Sequence, residues 1–135
     1  MKTLLLSIFF TLVSLISQGQ TVYRAVTAEL HFYNKSTDDW TLNTKYSDLK
    51  IDITVEEKYI SINAKSPSMY RVLDGTKEDV NTKSFTGYRY SARDLKTDEL
   101  VKIDILKHVE SGVVVLSIIN MTQGFNLRYF IDMVN

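Results

Sequence analysis

The 135-residue chain has no cysteine, one proline and no excess of either charge, with 16 basic and 16 acidic residues. Each shortage excludes something. Without thiols there is no disulfide framework, no cysteine nucleophile and no cysteine to carry a lipid. The core alone must hold the fold. Without a basic excess there is no electrostatic footprint for nucleic acid or an anionic membrane. Long apolar runs are also lacking. The longest, Leu4 to Ile16, is well short of the ~20 residues that span a bilayer.

Chemistry-bearing patterns are equally scarce. There is no nucleophile elbow, zinc-protease pair, phosphate loop or dinucleotide fingerprint. The two histidines, His31 and His108, stand far apart. The acidic pairs Asp38-Asp39, Glu56-Glu57, Glu78-Asp79 and Asp98-Glu99 fall in turn-like segments without the regular oxygen spacing of a calcium loop. No cofactor motif is present, and catalysis is not expected; a small hydrolase ranks last among the readings.

The short apolar run has a different meaning. Lys2 precedes it and the small residues Ser17-Gln18-Gly19 follow it, the layout of a secretory signal peptide cleaved after Gly19. The mature chain is then residues 20–135, a single domain with 15 basic and 16 acidic residues. Small secreted eukaryotic domains usually carry disulfides. An exported chain without them fits a bacterial periplasmic or secreted protein. The triplets Asn34-Lys35-Ser36 and Asn120-Met121-Thr122 then match glycosylation sites only by chance.

Past the signal, the chain alternates. Leu49, Ile51, Ile53 and Val55 are interleaved with Lys50, Asp52 and Thr54. Ile60, Ile62 and Ala64 continue the pattern after the polar link Glu56-Glu57-Lys58. Val101, Ile103 and Ile105 repeat it, as do Phe125, Leu127, Tyr129, Ile131 and Met133. A period of two marks half-buried strands. Further strands are expected at about 22–33, 69–74, 84–93 and 113–120, about eight in all. Short links such as "DLKTDE", "ESG" and "TQG" suit hairpins. The segment "NKSTDDWTLNTKYS" reads as the longest irregular connection, and "DGTKEDVNT" as a turn. The expectation is an all-β antiparallel up-and-down meander, a barrel or half-open barrel, with a two-sheet β-sandwich as the alternative.

The stretch "GYRYSARD", residues 87–94, looks like an aromatic-basic cluster. A period of two separates it. Tyr88, Tyr90 and Ala92 share the inner face; Arg89, Ser91 and Arg93 share the outer one, across from acids such as Asp104. Tyr70, Tyr88, Tyr90 and Tyr129 are therefore candidate inner contacts for a ligand, with the lone Trp40 as a fifth. An eight-stranded barrel is just wide enough to be filled by side chains or to hold one small ligand. Strand 113–120 is apolar on both faces. Val113, Val115 and Ile119, with Phe130 beside them, form an outer patch that needs a cover.

As a whole, the chain resembles small exported all-β proteins of Bacteroidota without assigned function. The residues that carry the likeness are the signal without a lipobox, Trp40 before "KIDITVEEKYISI", the strand end "YSARD" and the close "YFIDM". The barrel expectation is also similar to the calycin-like architecture of avidins, lipocalins and fatty-acid-binding proteins, although the lipocalin Gly-x-Trp is absent and Asp38-Asp39 precede Trp40. The expected function is non-catalytic binding of a small apolar ligand or a peptide. The alternative is an interaction protein, such as a homodimer or an inhibitor, working through the outer patch.

Overall fold

The computed structural model describes residues 20–132. The expected signal peptide and Met133 lie outside them. The described residues form ten strands and no helix. They are β1 (Gln20–Asn34), β2 (Asp39–Tyr46), β3 (Ile51–Glu56), β4 (Tyr59–Asn63), β5 (Ser68–Val72), β6 (Glu78–Asn81), β7 (Phe85–Asp94), β8 (Leu100–His108), β9 (Val114–Asn120) and β10 (Phe125–Asp132).

All pairings are antiparallel, and β10 pairs back onto β1, so the sheet closes into an eight-stranded barrel. The sandwich alternative is not what forms. The ten strands reduce to eight wall positions because two are interrupted. β2 and β3 lie along the same edge of β1, opposite Ala28–Asn34 and Gln20–Ala25 respectively. β5 and β6 share one edge of β7 in the same way. The order is then a plain meander closed on itself.

Two expectations need correction here. Residues 39–46 are strand β2, not irregular chain, and residues 78–81 of the expected turn are strand β6. Both are mostly polar and exposed. They are held by backbone pairing to one neighbour rather than by burial.

The turns share a device legible in the sequence. "NKSTD" (34–38), "DLKTD" (94–98), "HVESG" (108–112) and "NMTQG" (120–124) each begin with a polar acceptor and end in Asp or Gly. The side chains of Asn34, Asp94, His108 and Asn120 accept the backbone N–H of Ser36, Lys96, Ser111 and Gln123. The fifth residue, Asp38, Asp98, Gly112 or Gly124, has positive φ, a conformation that Asp and Gly tolerate. Asn34 and Asn120 are thus turn starters, which gives the asparagine of each triplet a structural reason.

Inside the barrel, Ile53, Ile60, Ile62, Ile103, Leu116 and Ile118 are fully buried. Each contributes roughly 1.5–3 kcal/mol by leaving water. The outer wall carries a row of charge. Arg89, Asp104, Ser117, Arg128, Glu29 and Lys45 are in register across β7, β8, β9, β10, β1 and β2. Arg89 donates two hydrogen bonds to Asp104, at 2.8 and 2.9 Å, and this carboxylate holds the guanidinium pKa above its ordinary value. The outward arginines and the Asp104 partner are as the alternation predicts.

Candidate functional site

One end of the barrel opens into a concavity of about 530 Å3. Its walls come from the start of β1, the end of β3, the break between β5 and β6, and the middle of β7. Tyr23, Tyr88 and Tyr90 line it, above Val55, Val72 and Ile105. Glu56, Glu57 and Asp74 stand around it.

Local structure places each of these. Gly87 has φ +153°, and a Cβ there would collide with the Ile105 carbonyl oxygen. Only glycine lets β7 run this close to β8, and Tyr88 is the next residue. The β5–β6 break is held by Thr76. Its hydroxyl donates to the Leu73 carbonyl at 2.6 Å and accepts the Ser91 N–H at 3.3 Å, while the Leu73 N–H bonds the Ser91 carbonyl. A side chain thus stands in for a missing ladder group. The pinned loop carries Lys77, whose ammonium lies 4.1 Å from the Tyr88 ring centroid.

The tyrosines interact. The rings of Tyr88 and Tyr90 are 6.5 Å apart and tilted by 48°. Burial, and then the neighbouring phenols, raise the pKa of Tyr23 and Tyr90. They stay protonated at neutral pH. They offer aromatic faces and O–H donors, not bases.

The five expected ligand contacts do not form one site. Tyr88 and Tyr90 line the mouth, Tyr88 exposed at the rim and Tyr90 buried where the mouth meets the core. Tyr70 and Tyr129 belong to the buried core, where burial above all pushes both phenols up to about 12; Asp94 adds to the effect at Tyr70, and Tyr70 and Tyr46 add to it at Tyr129. Trp40 is near the tip of the β1–β2 hairpin, edge-on to Tyr33 at 5.4 Å. That tip is at the opposite end from the mouth. There Glu99 accepts hydrogen bonds from Asn120 and Gln123, tying two turns together. Tyr23 was not among the expected contacts; its alternation with Ala25 in "TVYRA" is the signal that could have found it.

The expected outer patch is present in part. Val115, Ile119 and Phe130 line a groove of about 320 Å3 on the wall of β8–β10, with Leu106 and Phe85. Val113 sits just before β9 and is exposed. Ser117, Asp104, Arg128 and Asn126 make the rest of the groove polar. Beside it, His31 and Asn126 are cross-strand partners and both buried. The His31 Nε2 lies 3.0 Å from Glu29, while His31 Nδ1 and Asn126 Oδ1 lack partners among the described residues.

His108 closes its own turn: Nδ1 is 3.0 Å from the Ser111 hydroxyl and accepts the Ser111 N–H. That nitrogen serves as a turn acceptor. Among the described residues, no group of three His, Asp or Glu side chains is placed to hold a metal ion. No family model, curated protein or solved structure matches the chain.

Proposed function

We propose that the protein is an exported, non-catalytic binding module that takes a small organic ligand into the barrel mouth. One observation carries this reading: three tyrosines converge over a concavity of about 530 Å3 whose floor is filled core. Ligand sites usually have volumes of ~300–1,000 Å3, with apolar and aromatic walls and a few polar groups. Expectation of a wholly apolar ligand gives way to one with polar groups, because carboxylates rim the opening. The wall's polarity supports an aqueous setting. Isoleucines fill the interior and the charged row faces out, the inverse of a transmembrane barrel with its apolar outer band.

The test is native mass spectrometry of protein purified from its own host, alongside a Thr21→Trp variant. Thr21 is an exposed mouth residue at a strand end, so added bulk there obstructs the opening without entering the core. The expected result is a bound small molecule on the wild type and none on the variant, with equal thermal melts. A ligand-free wild type, or equal loading of both, counts against this reading.

A second reading rests on the outer groove. Val115, Ile119 and Phe130 are half-buried in the monomer, so covering each would add only part of the roughly 1.5–3 kcal/mol of full burial. A second copy is the occupant this reading names, since a two-fold contact reuses the same patch. Sedimentation of wild type and Val115→Lys tests it. A dimeric wild type and a folded monomeric variant support it; a monomeric wild type rejects it.

A further inference from the structure

Resting on the mouth as a ligand site, we propose that its ligand is a small organic cation, an amine or quaternary ammonium on a short organic body, whose charged head takes the position over Tyr88 that the Lys77 ammonium occupies. The argument starts from charge. Three carboxylates (Glu56, Glu57 and Asp74) and one ammonium (Lys77), all exposed, line the mouth, so its rim carries a net negative charge. The aromatic faces add to this. A ring's π face is electron-rich and attracts a cation held within ~6 Å of its centroid. Tyr88, exposed on the barrel rim, already holds one at 4.1 Å.

Lys77 reports what this surface prefers. It sits on a flexible stem at the solvent edge, on a loop pinned by Thr76 rather than by any bond to its own ammonium. It fills the position without closing the concavity, and an incoming cation can displace it. An anionic ligand faces the opposite prospect. It must approach three carboxylates with one ammonium to help. A neutral ligand can pack on the apolar floor and the rings but gains neither the rim charge nor the cation–π attraction. Because Tyr23 and Tyr90 stay protonated, the cage walls are neutral π faces, and the negative charge is supplied by the carboxylates.

The experiment titrates three probes of one shape into the purified protein: choline, its neutral isostere 3,3-dimethylbutan-1-ol, and the anion 3,3-dimethylbutanoate. Aromatic NMR shifts of Tyr23, Tyr88 and Tyr90 report binding. Choline is expected to bind about tenfold more tightly than the neutral isostere, the ratio that ~1.4 kcal/mol of cation–π and rim attraction gives. Lys77→Met, which keeps the stem and removes the competing charge, is expected to tighten choline binding further and leave the neutral probe unchanged. Equal or better binding of the neutral isostere overturns the cation preference and leaves the mouth as a small-ligand site. Tighter binding of the anion, weakened by Lys77→Met, also overturns it and makes Lys77 an anchor. Shifts from none of the three overturn the cation proposal. The native mass spectrum of host-purified protein then judges the binding-module reading separately.

Discussion

A methyl group at position 87 has no room, since the Ile105 carbonyl occupies its place and φ is +153°. Gly87→Ala is therefore expected to destabilise the fold by about 2 kcal/mol or more, through strain and forced separation of β7 from β8; denaturant melts measure it. The same strand shows what alternation can reveal. It assigned Tyr88 and Tyr90 inward and Arg89 outward. It could not tell the mouth tyrosines from the core ones, because alternation reports the face of a wall and not the depth along the barrel axis. Tyr70 and Tyr129 therefore looked equivalent to Tyr88. Tyr23 escaped for another reason: β1 shifts register between Ala25 and Thr27, so only the short run before the shift carries its alternation with Ala25. The deep pair gives a pH prediction. Phenols that ionise near 10 in the unfolded chain and at about 12 when folded keep more protons in the folded state between those values. Stability is then unaffected by these groups below pH 10 and falls as pH rises from 10 to 12, on the order of 2 kcal/mol for each residue. Alkaline melts of wild type and a Tyr70→Phe, Tyr129→Phe double variant should run parallel below pH 10, and above it the wild type alone should lose this contribution.

At the scale of elements, the barrel strands were legible and the two outliers were not. β3, β4 and β8 turn alternate aliphatic side chains to the core, and β10 turns Leu127, Tyr129 and Ile131, so their period is written by the core. β6, "EDVN", buries almost nothing; its conformation comes from pairing with β7, which leaves no mark in its own residues. β2 had a faint trace in Trp40, Leu42, Thr44 and Tyr46, masked by the surrounding turn residues. Each of the two pairs through one edge only, and Lys45, Glu78 and Asp79 lie along them, charges that discourage further strand addition. Hydrogen exchange should separate the classes. Amides of β2 and β6 are expected to exchange through local opening, well before those of β8 and β9, which require global unfolding. Equal protection throughout would mean that the interrupted strands are part of the cooperative core.

For the whole molecule, the decisive contact is the seam. β1 and β10 pair from Arg24↔Asp132 to Phe32↔Phe125, between residues more than ninety positions apart. Every other wall pairing joins strands that are neighbours along the meander. Local hairpins can form early, while the seam waits for all the intervening chain to be in place. Folding kinetics can test that order. Leu127→Ala, on the seam opposite Leu30, is expected to speed unfolding and leave refolding nearly unchanged; Ile103→Val, in the β7–β8 hairpin, is expected to slow refolding. The reverse pattern would make the seam the nucleus. A late seam has a practical consequence. Until it closes, the sheet is an open ribbon with two long unsatisfied edges, and another open ribbon satisfies them as well as its own partner edge does. Refolding yield should therefore fall steeply with protein concentration and recover on dilution, whereas the closed native barrel, offering only the charged margins of β2 and β6, tolerates the same concentrations.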